Sequence, residues 1–230
     1  MIAEQINPAM IVLARESRAW SQVELAEHIK VSTANLSKLE RGEVNLSETI
    51  LSNISEVTDY PLQFFKQPGT ILPTNLSYRK RQVVQQKLIT PIEAKINIIK
   101  KHVELLSGLL NKEAPQLPLY DVTEKHTPQK IAQLLRRAWG IDVGVMRDLC
   151  KIVEANGIIV KAFDFGTERV DSRSMITLDK QPIIFLYSSQ QGDRQRFSLA
   201  HELGHLIMHT FTIVAADRDI SHEANLFAAE

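Results

Sequence analysis

Hydrophobic and polar residues near the amino terminus recur at helical spacing, in short blocks separated by turns. Residues 8–66 are therefore predicted to form a bundle of short helices. A capping box, Ser21 with Glu24, begins the second helix, and Ser32 caps a third helix that ends at Gly42. Two such helices joined by a tight turn are typical of a helix-turn-helix. The predicted core positions are Ile11, Val12, Leu13, Val23, Leu25, Ala26, Ile29, Ala34, Leu36, Leu39, Ile50, Leu51, Ile54 and Val57.

A long amphipathic helix is predicted after a connector that proline and glycine interrupt. Its start is placed at Thr90, because a proline follows at once and Glu93 stands three residues on. Apolar residues then alternate at spacings of four and three, namely Ile92, Ile96, Ile99, Val103, Leu106 and Leu110. This narrow stripe fits either the seam of a homodimer or a helix docked on the C-terminal domain of its own chain, and both alternatives stay open.

The carboxy-terminal part of the chain has the pattern of an α+β domain. Helices are predicted from Thr127 to Gly140 and from Val145 to Ala155. Runs of β-branched and apolar residues then predict three strands, at 158–163, 174–178 and 182–187. A further helix follows them, and it contains the motif HExxH.

The HExxH motif consists of His201, Glu202 and His205. Residues four apart lie on the same face of a helix, so the two histidines can offer imidazole nitrogens to one metal ion. Glu202 lies beside them, where it can take a proton from a water that the metal activates. This is the arrangement of zinc metallopeptidases, and we prefer it to a core helix that carries two histidines by chance.

A catalytic zinc usually has three protein ligands, and the third is less obvious from the sequence. The metzincin pattern is excluded, because Met208 and Phe211 stand where it requires glycine and histidine. A glutamate from a later helix is the remaining type, and Glu223 is the preferred candidate. We interpret His209 as a supporting residue. The alternative third ligands are Glu230, Asp217 and Asp219.

These elements predict a mainly α fold with an α+β C-terminal part. The predicted division is a helix-turn-helix bundle at 1–66, a basic connector with the long helix at 67–120, and a zincin-like domain with a small β-sheet and the HExxH helix at 121–230. A hydrophobic content of 44% and a charged content of 23% are ordinary for a soluble globular protein. No apolar run is long enough to span a membrane and no signal peptide is evident, so we expect no membrane partner. The single cysteine indicates a reducing compartment, and we therefore expect a cytoplasmic location.

Cys150 is the single cysteine, which excludes an intramolecular disulfide and a zinc site built from several cysteines. It stands among apolar residues, so a buried and unreactive thiol is expected.

The amino-terminal segment resembles the Cro/repressor-type (XRE) helix-turn-helix family, through SQxxLA from residue 21, VS at 31–32 and LSKLERG from residue 36. The resemblance implies that the helix from Ser32 to Leu39 lies in the major groove of a double-stranded DNA operator. The residues that it assigns to DNA contact are Gln22, Ser32, Thr33, Asn35 and Lys38.

The charge distribution complicates DNA binding. Residues 1–66 contain 6 basic and 9 acidic residues, whereas residues 67–130 contain 10 basic and 5 acidic ones. Because phosphate neutralisation supplies much of the affinity for DNA, the amino-terminal unit needs a dimer or the basic cluster at 78–81. That cluster is equally well explained as a solvated face of the connector. A helix-turn-helix that holds a protein partner is the alternative to DNA binding.

Residues 128–230 resemble the ImmA/IrrE family of metallo-endopeptidases, through IAQLLRRAWG from residue 131, EANGIIV from 154, PIIFL from 182, RFSLAHELGHLIMH from 196 and EANLFAAE from 223. The resemblance implies limited proteolysis of a regulatory protein, often a repressor, in bacteria and their mobile elements. His201, His205 and Glu223 are then the Zn²⁺ ligands and Glu202 is the catalytic base. The family's last motif helix extends past Glu230, which predicts a fragment or a missing carboxy-terminal part.

The resulting hypothesis is a cytoplasmic DNA-binding regulator with a zinc-dependent endopeptidase domain that cleaves a protein substrate. The rival hypothesis is a transcription factor or antitoxin-like binding protein, whose peptidase fold serves only as a metal sensor or as a scaffold for a partner regulator.

Overall fold

The computed structural model describes residues 6–69, 85–111, 113–141, 144–210 and 218–230. These residues divide into two compact units, one with the described residues up to His102 and the other with those from Val103 onwards. None of the described helices combines the length and the hydropathy that a membrane crossing needs.

The first unit is a bundle of short helices, and a polar cap begins each of its first four α-helices. Asn7, Ser21, Ser32 and Ser47 accept hydrogen bonds from backbone N–H groups in the first turns of the helices that follow them. The helices are α1 (Pro8–Ser17), α2 (Gln22–His28), α3 (Thr33–Glu40) and α4 (Glu48–Thr58), followed by a 3-10 helix at Leu62–Lys66. The capping box at Ser21 and Glu24 is present as predicted.

The core of the first unit contains most of the predicted apolar positions, and its fully buried side chains include Met10, Leu13, Leu25, Leu36, Ile54 and Phe65. The prediction was wrong for Val23, which is 51% exposed, and for Ala34, which is also exposed. Val23 lies on the face of α2 opposite Leu25, because two residues rotate a helix by about 200°.

The long helix α5 (Gln86–Leu109) begins before the predicted start at Thr90, and Pro91 lies inside it. The helix extends past the local start signal because Ile89 is buried in the tertiary structure, like Ile92 and Ile96. The Thr90 hydroxyl donates to the carbonyl of Gln86 at 3.1 Å instead of capping the helix. The narrow apolar stripe of this helix is more deeply buried in its first half than in its second.

In the second half of the stripe, Val103 is half-buried, whereas Leu106 is 56% exposed and Leu110 is 73% exposed.

The second unit packs helices against a three-stranded sheet. Its elements are α6 (Pro128–Ala138), α7 (Leu149–Ala155), β1 (Ile159–Phe163), β2 (Ser172–Ile176), β3 (Pro182–Tyr187), α8 (Gly192–Met208) and α9 (Ile220–Ala229). Strand β3 is central, parallel to β1 and antiparallel to β2. Helix α8 packs against the sheet and against α9. The predicted fold class, mainly α with an α+β C-terminal part, is confirmed.

Two elements of the second unit have boundaries that differ from the predicted ones. Helix α7 begins at Leu149 and not at Val145, because Asp148 caps it by accepting from the Lys151 N–H at 3.1 Å. Strand β2 begins at Ser172, two residues before the predicted start. It ends at Ile176, since the Thr177 N–H donates to the Gln181 carbonyl and closes the turn into β3.

Cys150 is half-buried against the core of the second unit, and burial raises the pKa of its thiol. A raised pKa leaves little thiolate at neutral pH, which agrees with the expected low reactivity, although the thiol is less buried than predicted.

Gly157, between α7 and β1, has a φ of +86°, and a Cβ there would lie 2.6 Å from Pro115 Cβ. Gly157→Ala is therefore expected to lower the free energy of unfolding by about 2–5 kcal/mol, through backbone strain and overpacking. Gly140→Ala is the matched control, because Gly140 has a φ of +65° but open space around it; it should cost only about 1–2 kcal/mol. Urea unfolding of both variants measures the difference, and equal losses would contradict the clash with Pro115.

Candidate functional site

Helix α8 carries the two histidines of the HExxH motif with their rings directed towards each other. His201 is 2% exposed, and its Nε2 lies 3.1 Å from Nε2 of His205. Two nitrogen ligands at about 2.05 Å from one tetrahedral zinc would be separated by roughly 3.3 Å. The spacing of the two Nε2 atoms is therefore close to that of a shared metal ion.

Hydrogen bonds fix the opposite ring nitrogens of this pair. In the neutral imidazole of His201, the ring nitrogen that donates is Nδ1, because Asn225 Oδ1 lies 3.0 Å from it and can only accept, and Nε2 then carries the lone pair. His205 Nδ1 lies 3.0 Å from His209 Nδ1, and His209 Nε2 donates to Glu223 at 2.8 Å. With His209 neutral and its Nε2 protonated, His205 must be the donor in that contact. Two lone pairs then face each other at Nε2, an arrangement that a bound cation stabilises.

Helix α9 reaches this cluster because Gly204 lets it approach α8 closely. A Cβ at Gly204 would lie 3.0 Å from the ring of Phe227. The close packing brings Asn225 and Glu223 of α9 to the imidazoles of α8.

Glu223 is engaged by two donors in this structure. Arg218 donates to both of its carboxylate oxygens, at 3.0 and 2.6 Å, and His209 donates to one of them. Burial by itself raises the pKa of Glu223, but the hydrogen bonds from Arg218 and His209 outweigh it and lower the pKa below its ordinary value. Burial also lowers the pKa of His209, although the Glu223 carboxylate opposes that shift.

The structure does not bring Glu223 together with His201 and His205 as a three-ligand set. Within the described ranges, no group of three or more His, Cys, Asp or Glu side chains is arranged to hold a metal ion. Among the alternatives, Asp219 caps α9 and Glu230 accepts from Gln133. Asp217 lies outside the described residues. The identity of the third ligand therefore stays a prediction.

Glu202, the predicted base, is buried and held by two hydroxyl groups. Ser172 Oγ donates to its Oε1 at 2.8 Å, and Ser174 Oγ donates to its Oε2 at 2.6 Å. Neither serine was predicted from the sequence as a site residue. Their signal was the alternation Ser-Arg-Ser, since alternate residues of a strand point to the same face.

The residues predicted to contact DNA lie on or beside α2 and α3. Ser32, Thr33 and Lys38 are exposed, and Asn35 is half-buried. The Ser32 hydroxyl accepts from the Asn35 N–H as the cap of α3. Gln22 differs from the rest, because its Nε2 donates to Glu40 at 2.7 Å. The basic cluster at 78–81 lies outside the described residues.

Comparison with known families identifies both parts of the chain. Residues 11–65 match a helix-turn-helix family model, and residues 153–230 match the model of the IrrE N-terminal-like domain, Peptidase_M78. No match to the chain was found among curated proteins or among solved structures. The predicted fusion is confirmed: the chain joins a helix-turn-helix of a DNA-binding transcriptional regulator to a domain of the IrrE/ImmA peptidase family.

Proposed function

We propose that the protein is a cytoplasmic, DNA-binding transcriptional regulator whose second unit is a zinc-dependent endopeptidase that cleaves a regulatory protein such as a repressor. The observation that carries the peptidase proposal is the facing pair of Nε2 atoms of His201 and His205, with the carboxylate of Glu202 adjacent in sequence on the same helix. The match to the IrrE N-terminal-like domain supports the same conclusion.

His201 and His205 would hold the metal, with Glu223 as the third ligand. Zinc bound there would polarise a peptide carbonyl and lower the pKa of water. Glu202 takes a proton from the attacking water and then delivers it to the nitrogen of the leaving amine. Asn225 and His209 would hold the two imidazoles in the tautomer whose Nε2 lone pair can coordinate the metal.

Glu223 can serve as a ligand only if its carboxylate exchanges its present partners for the metal. Arg218 holds it most closely, at 2.6 Å. We therefore propose that metal binding competes with the pair formed by Glu223 and Arg218.

A peptide library prepared from a bacterial proteome tests the peptidase proposal without a known substrate. Wild-type protein loaded with zinc is expected to generate new peptide termini, detected by mass spectrometry. These termini should be absent with a chelator and absent with Glu202→Gln. A wild-type protein that generates none would contradict the proposal.

The contacts of Glu223 also favour the rival function, a non-catalytic regulator or antitoxin-like protein that uses the peptidase fold as a sensor or scaffold. A carboxylate already bound by Arg218 and His209 needs no metal to be satisfied. The rival predicts that Glu202→Gln alters neither the expression of the target genes nor the cleavage of any protein in the cell.

Binding of a double-stranded DNA operator is proposed for α3, whose exposed residues Thr33 and Lys38 would face the major groove. A homodimer is proposed as the binding form, because the amino-terminal unit is net acidic and one copy neutralises few phosphates.

Lys38→Ala is expected to weaken binding to a mixed-sequence DNA duplex and to reduce the salt dependence of the binding constant. If Lys38 contacts a phosphate, the slope of log K against log salt should fall by about one. Lys161→Ala is the control, because it removes the same charge from an exposed position of β1. Fluorescence anisotropy over a salt series measures both slopes, and identical slopes for the two variants would contradict the placement of Lys38.

A further inference from the structure

Two serines on the same face of strand β2 donate hydrogen bonds to the carboxylate of Glu202. Ser172 and Ser174 each donate to a different oxygen, at 2.8 and 2.6 Å. Glu202 itself is only 7% exposed. A buried carboxylate requires hydrogen-bond donors to offset its loss of hydration, and these two hydroxyl groups meet that requirement.

The register of the sheet places the two hydroxyl groups. Ser172 pairs with Leu186 and Ser174 pairs with Ile184 in the antiparallel ladder between β2 and β3. The residue between them, Arg173, belongs to the opposite face of the strand. The sheet therefore sets the separation of the two donors, and α8 sets the position of the carboxylate between them.

Each carboxylate oxygen has two lone pairs, and a serine hydroxyl occupies only one of them. The remaining lone pairs can accept a proton from water. Because each oxygen has its own donor, rotation about the terminal torsion of Glu202 is also restricted. In a glutamate side chain without such contacts, this torsion takes a broad range of values. The same contacts thus hold the carboxylate still and leave it able to act as a base.

We propose that Ser172 and Ser174 are positioning residues that hold and orient the Glu202 carboxylate for proton transfer. The catalytic part of this inference rests on the proposed endopeptidase function. The holding contact itself does not, so it can be tested in metal-free protein.

The first measurement is a double-mutant cycle on the thermal unfolding of metal-free protein. Ser172→Ala with Ser174→Ala is expected to lower Tm by roughly 5 °C, because two charge-assisted hydrogen bonds are lost. In a Glu202→Ala background the same pair of changes should have little effect. Equal Tm shifts in both backgrounds would overturn the holding contact, whether or not the protein is a peptidase.

The second measurement is the kinetics of zinc-loaded protein on a peptide that the wild type cleaves. The serine pair variant is expected to lose about 10²-fold in kcat, a loss of the size that acid–base catalysis can contribute. KM and zinc content should stay unchanged, and Ser172→Thr with Ser174→Thr, which restores both hydroxyl groups, should recover most of the rate.

Ser198→Ala is the matched control, because Ser198 is a buried serine of α8 whose hydroxyl contacts Gln190 instead of Glu202. It should keep the wild-type kcat. A serine pair variant as fast as wild type would overturn the positioning role and leave the proposed peptidase function standing. A wild type that cleaves no peptide would overturn the proposed function and the positioning role, while the unfolding cycle would still decide the holding contact.

Discussion

Glu202→Gln is expected to lower the rate of peptide cleavage by about 10²–10⁴-fold, the contribution that a positioned general base makes. Glutamine has almost the same shape as glutamate but cannot take a proton from water. The serine hydroxyl that faces the new amide nitrogen can rotate to accept from it, while the other serine still donates to the amide oxygen, so the fold should be preserved. The measurement is the cleavage rate of one peptide, with zinc content determined on the same preparations.

Glu154→Gln is the control for this prediction, because it makes the same chemical change at an exposed position of α7. Both variants should retain as much zinc as the wild type, and only Glu202→Gln should lose activity. Cleavage by Glu202→Gln at the wild-type rate, with zinc retained, would contradict the role of Glu202 as the base.

Glu40→Ala is expected to destabilise the first unit by about 3–5 kcal/mol, because it removes the carboxylate that accepts two hydrogen bonds from the buried guanidinium of Arg15. Of the described residues, the guanidinium then keeps only Glu16 and the Trp20 carbonyl as partners. Arg15 Nε donates to Glu40 Oε1 at 2.6 Å, and the two side chains are only 10% and 4% exposed. Gln22 donates to the same carboxylate. One glutamate thus links α1, α2 and α3, and the thermal transition of this unit should fall by roughly 10 °C or more.

Glu43→Ala provides the comparison, since Glu43 pairs with Arg41 where both side chains are about half exposed. Exposed ion pairs contribute little to stability, so this variant should unfold close to the wild-type temperature. Circular dichroism during heating measures both transitions. Similar shifts for the two variants would contradict the importance of the buried pair.

Local sequence signals predicted much of the fold, because helix caps and the HExxH spacing act within a few residues. The caps at Ser21 and Ser32 form as predicted. The start of α5 did not follow its local signal at Thr90 and Pro91, because burial of Ile89 extends the helix towards the amino terminus.

The polar contacts of the candidate site depend on tertiary packing, which the sequence pattern does not contain. Ser172 meets Glu202 only through the register of β2 on β3 and the packing of α8 on the sheet. Similarly, the pairing of Glu223 with Arg218 and His209 depends on how α9 approaches α8. The sequence could therefore indicate a metal-binding helix, but not the hydrogen bonds that orient its side chains.

The zinc content of the purified protein, determined by elemental analysis, tests the central claim most directly. We expect close to one zinc per chain in the wild type and almost none in His205→Ala, because one of the two facing imidazoles is lost. Glu223→Ala should also lose zinc if Glu223 leaves Arg218 to become the third ligand. A wild type without zinc after incubation with the metal, or a His205→Ala variant that binds as much as the wild type, would contradict the proposed metal centre.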